Sequence, residues 1–202
     1  MTTGSITPVS LRNEIEIQDP LAVVSGYLDS WRFEAGDASS SFGESDLRLA
    51  NRGGARISAV EIAAILERRR AIELALQAIA PDVSLAGAGR LVPWRPLGQL
   101  FTAFADIRGI GLSKMTKAVH PKRPALVPML DSVVQTYLLH DDLGAAAPFG
   151  ERALALVRGY KCDLDHNRWA LRATRRKLVR RGHDLTEVRI LDLLIWSARV
   201  AG

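Results

Sequence analysis

Apolar residues that recur at helical spacing, between residues that begin or end helices, constrain this fold more than any other feature. Ser58 and Glu61 form a capping-box pattern, in which a hydroxyl and a carboxylate satisfy free amides at a helix start. Pro81 ends the apolar segment that follows. The predicted core residues of that segment are Val60, Ala63, Ala64, Leu74 and Ile79. Extended structure is indicated only for a short piece at Leu91–Val92, so we predict an all-α fold, a compact multi-helix bundle.

Two irregular stretches separate the predicted helices: a long loop at Ala35–Arg56, rich in Gly, Ser, Asp and Asn, and a linker at Pro81–Pro96. The 202 residues suffice for one helical domain, residues 1–202. Two lobes are the alternative, residues 1–95 with the C-terminal helices and residues 96–160. The predicted helices are Leu21–Trp31, Ala59–Ala80, Leu97–Ala105, Leu112–His120, Asp131–His140, Glu151–Tyr160, Trp169–Arg181 and Leu185–Ala201.

A single cysteine, Cys162, excludes a disulfide framework, a four-cysteine zinc site and a four-cysteine iron–sulfur cluster. The acidic residues and histidines match no known metal-binding loop, so no metal site is predicted. No apolar run reaches transmembrane length, and the first five residues lack a signal-peptide pattern. We expect a cytoplasmic protein without membrane association and take it to be a monomer.

The charge of the chain is unevenly distributed. The net charge is +5, but residues 1–50 contain three basic and eight acidic residues, whereas residues 151–202 contain twelve basic and six acidic residues. A basic C-terminal quarter suits a polyanionic partner such as DNA. A solvated helix face rich in arginine would give the same composition, so charge alone leaves both interpretations open.

The segment Ile107-Arg108-Gly109-Ile110-Gly111 lies between two of the predicted short helices. A turn this tight needs residues without a Cβ, which explains the two glycines. Backbone amides at the start of the second helix would then point outward together and bind a DNA phosphate. An αα-hairpin that is only structural would use the same glycines. The candidate phosphate-binding residues are Gly109, Ile110, Gly111, Lys114 and Lys117.

This segment resembles the helix-hairpin-helix superfamily of DNA glycosylases, the endonuclease III-like and adenine-glycosylase-like enzymes. Those enzymes follow the hairpin with a loop and an aspartate motif of the type Val-Asp-Thr-His-Val. Val127–Val134 occupies the matching place here, and Asp131 lies twenty residues after Gly111. The resemblance covers roughly Pro96–His140. It implies a helix-hairpin-helix fold, double-stranded DNA as the partner, a catalytic carboxylate at Asp131, and no cofactor beyond a monovalent cation at the hairpin.

Over most of its length the chain also resembles an uncharacterised bacterial family, which brings no function with it. Two motifs carry this likeness. They are Lys122-Arg123-Pro124 before the aspartate, and Arg189-Ile190-Leu191-Asp192 followed by Trp196 near the end.

Two departures from the glycosylases restrict the chemistry. Bifunctional members place a Schiff-base lysine two residues after the second glycine, where this chain has Ser113. Lys114 is one position further on and is rotated by about 100° around a helix of ~3.6 residues per turn. The iron–sulfur cluster of many relatives is also excluded, because there is only one cysteine. The resemblance therefore implies the monofunctional kind of enzyme, which uses water and leaves an abasic site.

Asp131 suits a catalytic role because a fixed carboxylate can stabilise the positive charge that develops on the sugar, or can orient the attacking water. Aspartate is also a favoured N-cap residue, so capping of the helix that follows is an equally good interpretation. The two roles are compatible.

Several other residues are weaker candidates. Lys122, Arg123, Arg175 and Arg176 are candidate DNA contacts on the basis of charge. The four tryptophans, Trp31, Trp94, Trp169 and Trp196, are candidates for stacking on a flipped base. Trp94, in a loop between two prolines, is the best of them for a base pocket or a wedge.

Two functions follow from the sequence. The leading hypothesis is a monofunctional DNA N-glycosylase that flips a damaged or modified base and excises it with the help of Asp131. The alternative is a non-catalytic helix-hairpin-helix module that binds DNA through Gly109–Gly111. A third and less favoured hypothesis is that the hairpin is purely structural and that the partner is a protein. No specific motif in the sequence supports it.

Overall fold

Helical periodicity is borne out in a computed structural model of the chain, which describes residues 7–12, 14–28, 37–87 and 91–200. Strand is confined there to a two-residue antiparallel ladder, Val9–Ser10 (β1) with Glu16–Ile17 (β2). The prediction of an all-α fold is confirmed. The α-helices of these residues are α1 (Pro20–Leu28), α2 (Glu44–Arg52), α3 (Ala59–Glu67), α4 (Arg69–Gln77), α5 (Trp94–Thr102), α6 (Leu112–Val119), α7 (Ser132–Tyr137), α8 (Phe149–His166), α9 (Arg168–Arg180) and α10 (Glu187–Val200).

The predicted loop at Ala35–Arg56 is wrong over its second half, because α2 lies within it. Gly43 is the N-cap of this helix, and its N–H donates to the Asp46 carboxylate at 2.8 Å. Leu47 and Ala50 are the apolar side chains that α2 buries. The segment is amphipathic, but its low overall hydrophobicity and its Gly, Ser, Asp and Asn content favoured the interpretation as a loop.

The single helix predicted at Ala59–Ala80 is two helices, α3 and α4, separated at Arg68. The capping box of Ser58 and Glu61 is present as predicted. The buried face also differs from the predicted one: Val60 and Leu74, both predicted to be buried, are 80% and 57% exposed. Ile65 and Ile72 are buried instead, and Ile79 is buried as predicted.

A close contact between α5 and α8 forms part of the core. Gly98 of α5 lies against α8, where an added Cβ would come within 2.8 Å of Leu154. Both helices begin earlier than predicted, α5 at Trp94 and α8 at Phe149, so the predicted linker Pro81–Pro96 ends sooner. Apart from Met129, the buried apolar side chains of the described residues belong to one contiguous cluster.

The segment that connects α6 to α7, residues 120–131, is largely buried although it contains only one 3₁₀ turn, His120–Lys122. The Lys122 side chain is 2% exposed and its Nζ lies 2.9 Å from Asp46 Oδ1 of α2. We predicted a DNA contact here, and the structure corrects it, because the ammonium group is enclosed and paired with a carboxylate.

Arg123 is also corrected from a candidate DNA contact to a structural residue. It is 1% exposed. Its Nη2 donates to the carbonyls of Leu76 and Ile79 at 2.8 and 2.9 Å, at the C-terminal end of α4. Nη1 donates to Ala38 O at 2.7 Å. The guanidinium therefore satisfies carbonyls that a helix end leaves without donors, and its charge complements the helix dipole.

No helix in the described part of the chain is both long enough and apolar enough to cross a membrane.

Replacing Arg123 by Met should lower the free energy of unfolding by about 3 kcal/mol, because two buried carbonyls, those of Leu76 and Ile79, lose their donor together with the part-buried carbonyl of Ala38. Urea unfolding measures the loss. The control is Arg176→Met, at an exposed position on α9, which should leave stability unchanged. Wild-type stability of Arg123→Met would contradict the capping role and restore Arg123 as a candidate for surface contacts.

Candidate nucleic-acid interface

The predicted hairpin forms a tight turn between α5 and α6. Ile107 and Ile110 are buried, and Ile110 N donates to Ile107 O at 3.0 Å. The two glycines lie on the outside. Gly109 has φ +85°, a conformation that favours glycine. The apolar residues thus anchor the turn in the core while the glycines face solvent, as the sequence pattern predicts.

The N-terminus of α6 is open on the side of Gly111. This residue is the N-cap, with extended backbone (φ −95°, ψ −179°). It has no side chain that could accept from the first-turn amides, and an added Cβ would meet nothing within 4 Å. An external anion can therefore approach the free amides of this turn.

The side of Gly109 is occupied by a carboxylate. A Cβ added there would collide with Glu61 of α3, whose Oε1 also accepts from Lys114 Nζ at 2.6 Å. Glu61 Oε2 accepts from Ser58 N at 2.7 Å, so the capping box fixes the carboxylate next to the hairpin. Lys114 and the Ser58 amide lower the pKa of Glu61, which is ionised at neutral pH.

The other lysine of the hairpin helix, Lys117, is half-buried and its Nζ lies 3.3 Å from Gly54 O in the turn after α2. Among the described residues its partner is thus a backbone carbonyl, and no carboxylate there neutralises its charge. Lys114 and Lys117 consequently differ: the first is held by a carboxylate, and the second is available to a phosphate.

Asp131 is buried, with 8% of its surface exposed, and it is the N-cap of α7. Its Oδ1 accepts from Val133 N and Val134 N at 3.0 and 3.1 Å. Its Oδ2 accepts from Trp196 Nε1 at 2.9 Å. Both carboxylate oxygens are therefore engaged within the protein. The geometry fits the capping interpretation and does not support the catalytic one.

Trp196, the indole partner of Asp131, belongs to a polar cluster on α10 that is buried at Arg189 and Asp192. Arg189, Asp192 and Trp196 follow one another at helical spacing on the same side of that helix. Asp192 Oδ2 accepts from Met129 N at 3.4 Å and lies 3.6 Å from Arg189 Nη1. Burial raises the pKa of Asp192 to about 7. Through Met129 and Asp131, this cluster holds the residues that immediately precede α7 in place.

Two further side chains bind the same connecting segment. Leu130 N donates to Thr116 Oγ1 of α6 at 3.0 Å, so the hairpin helix and the residues before α7 are directly joined. His120 Nδ1 lies 2.7 Å from Val127 O and must donate to it, because a carbonyl only accepts. Burial lowers the pKa of His120 to about 4, and the ring is neutral at pH 7.

Trp94 does not lie in a loop, as predicted, but is the first residue of α5. Its ring is half-buried against the core, and the guanidinium of Arg158 lies over it, 5.3 Å from the ring centre. The ring is thus covered on one face by α8. A ring held in this way does not project from the surface, so it could not act as a wedge between DNA bases. Trp31 lies outside the described residues.

The two basic candidates on α9 have different surroundings. Arg175 is half-buried and lies 3.3 Å from both Glu187 Oε2 and Asp184 Oδ1. Arg176 is exposed and makes no ion pair with the described residues. Only Arg176 of this pair keeps the accessibility that a DNA contact requires.

Residues 26–199 match the model of a protein family described as Family of unknown function (DUF6308). The chain belongs to this family. Neither the curated proteins nor the solved structures contain a match to it.

Membership of DUF6308 covers both motifs by which the chain resembled an uncharacterised family. In this DUF6308 chain both motifs supply buried polar groups, and these groups hold the segment 120–131 in place. Lys122 and Arg123 attach it to α2 and α4, and Asp192 attaches it to α10. The contacts of these residues within the fold therefore explain why they are present, without any contact to a ligand.

Two features of the site were absent from the sequence interpretation. Glu61 was recognised as a capping residue, but its second contact, with Lys114, joins residues 53 positions apart. Arg189, Asp192 and Trp196 were noted together only as a family motif, although their helical spacing in an apolar helix is a detectable signal for a polar cluster within the fold.

Asp131→Ala should destabilise the fold by about 2 kcal/mol, because α7 loses its cap and Trp196 loses its acceptor. Asp131→Asn keeps a capping oxygen and should cost less, since only the bond from Trp196 is lost. Thermal and urea unfolding give both values. Ser132→Ala, at the exposed neighbouring position, is the control. If Asp131→Ala unfolds like the wild type, the capping role is refuted.

Proposed function

We propose that this protein binds double-stranded DNA through the hairpin Ile107–Gly111 and does so without catalysing base excision. The observation that carries the proposal is the open N-terminus of α6, where Gly111 leaves the first-turn amides accessible. A phosphate oxygen at this position accepts from backbone amides and is favoured by the helix dipole. Lys117 lies on the same helix and supplies a charge that has no carboxylate partner in the described part of the chain.

The non-catalytic alternative is preferred to the glycosylase because of Asp131. A carboxylate that stabilises a developing positive charge must face the substrate. Asp131 faces two backbone amides and an indole instead, and its surface is 8% exposed. Ser113, where bifunctional enzymes carry a lysine, supplies no nucleophile of that kind. Phosphate binding requires neither residue.

Gly111→Asp should abolish most of the duplex affinity while leaving the fold intact. Asp is a favoured N-cap, and the extended backbone and open space at Gly111 accept it, so stability should be unchanged or higher by a few tenths of a kcal/mol. The new carboxylate would occupy the amides and repel phosphate. Fluorescence anisotropy with a labelled duplex at low salt measures affinity, and thermal unfolding verifies the fold.

Gly111→Ala and Gly111→Asn are the matched controls. The alanine variant leaves the amides free and should bind like the wild type, whereas asparagine caps them without adding charge and should bind with intermediate affinity. Equal binding by Gly111→Asp and the wild type would remove the hairpin from the interface. Release of a base from damaged duplex, lost in Asp131→Asn, would restore the glycosylase hypothesis.

Glu61→Gln should increase duplex affinity. Glutamine still supports a capping box, but it no longer holds Lys114 by charge, so a second lysine becomes available beside Gly111. One additional phosphate contact should make the slope of log K against log[salt] steeper by about 0.9. A salt titration of binding measures this slope.

Glu67→Gln makes the same charge change at an exposed position at the end of α3 and is the control for a general electrostatic effect. An equal gain in both variants would show that Lys114 is not specifically released. A loss of affinity in Glu61→Gln would show that this carboxylate supports the interface.

A further inference from the structure

The exposed face of α9 combines one tryptophan with several arginines. Trp169 is 72% exposed although the opposite side of the helix is buried. Arg172, Arg176 and Arg180 share its side, within about 80° on a helix of ~3.6 residues per turn. The arginines follow each other at intervals of four residues, or about 6 Å along the axis. A row of cations therefore begins at an exposed aromatic ring.

The charges of this face, defined by Trp169, Arg172, Arg176 and Arg180, are not neutralised by the described residues. These three arginines make no ion pair there, whereas Arg175 on the flank of the helix is paired with Asp184 and Glu187. Beside the row is an open groove of about 520 Å³. Its lining residues are Arg172, Arg175, Arg176, Val179, Arg180 and Glu187.

Arg175 of the lining is paired with Glu187 and Asp184, which leaves the three arginines of the α9 face as unpaired cations of the groove and makes it suited to a polyanion. The apolar side of α9, which includes Leu171 and Leu178, is buried in the core. It is therefore unavailable for insertion into a lipid surface, which requires a free apolar helix face. Proteins that bind single-stranded nucleic acids combine an aromatic ring, on which a base stacks, with a row of cations that contacts the phosphates.

We infer that the α9 face is a second nucleic-acid site, which binds a single strand through its phosphates and stacks an unpaired base on Trp169. A base inside a duplex presents only its edge to a groove, so the exposed indole favours unpaired nucleotides. This inference goes beyond the proposed function. It depends on a different helix and does not require the hairpin to bind duplex DNA.

The test is binding of a labelled twelve-nucleotide oligothymidylate to the full chain. Trp169→Ala should weaken binding by roughly 5- to 100-fold, the range expected for loss of one stacked base. Trp169→Phe keeps a smaller ring and should restore part of the affinity. Arg176→Ala should weaken binding and make the salt slope shallower by about 0.7, as one phosphate contact on a single strand is lost.

Two exposed positions elsewhere provide matched controls. Leu74→Ala removes an exposed apolar side chain of α4, and Arg199→Ala removes an exposed arginine near the end of α10. Both should bind oligothymidylate like the wild type. Because the three substitutions on α9 and the two controls lie at the surface, thermal unfolding should be unchanged in each.

Gly111→Asp separates this inference from the proposed function. It should reduce duplex binding and leave oligothymidylate binding unchanged, whereas Trp169→Ala should do the reverse. Wild-type affinity of Trp169→Ala and Arg176→Ala for oligothymidylate would overturn the inference. A second result would also overturn the inference: polyglutamate of equal charge displaces the oligonucleotide, and Trp169→Ala binds polyglutamate as tightly as the wild type does. The face would then be a site for acidic proteins.

Discussion

The burial of residues 120–131, which connect α6 to α7 mostly without regular structure, is the constraint on which the surrounding fold depends. A buried segment outside helices and sheets cannot pair its polar groups locally, so other elements must supply the partners. Thr116 accepts from Leu130 N on one side, and Asp192 accepts from Met129 N on the other. Arg123 and Lys122 extend outward from the segment to α4 and α2. Four helices are thereby connected through one stretch of chain.

This constraint separates structural polar residues from those available to a partner. A buried arginine that has carbonyl partners is costly to remove but has nothing left to offer a ligand. Asp131 belongs with Arg123 in this respect, because its oxygens complete the first turn of α7 and the indole of Trp196. Among the candidate phosphate and DNA contacts, Lys117 on α6 is half-buried and Arg176 on α9 is exposed, and neither has a carboxylate partner among the described residues. Function should accordingly be sought at the hairpin and on the basic helix rather than around the aspartate.

Local patterns in the sequence predicted the features whose partners lie within a few residues. The capping box at Ser58, the N-cap at Asp131 and the alternation of buried isoleucines with exposed glycines in the hairpin are all of this kind. The burial of Arg123 was not predictable in this way, since its acceptor at Leu76 is 47 residues distant. The same holds for Glu61 and Lys114. Charge in a sequence predicts exposure only when no partner exists in three dimensions.

The two sides of the hairpin show how the protein itself competes with an anion. At Gly109 the position is taken by a carboxylate that the capping box holds in place, and Lys114 is neutralised with it. At Gly111 no side chain competes, because glycine is the favoured N-cap residue that has no side-chain acceptor for the first-turn amides. A phosphate approaching from this side gains the amides without displacing Glu61. A phosphate could contact Lys114 as well only if the ion pair between Lys114 and Glu61 broke. Glu61, rather than a lack of cations, therefore limits the affinity of the hairpin for phosphate.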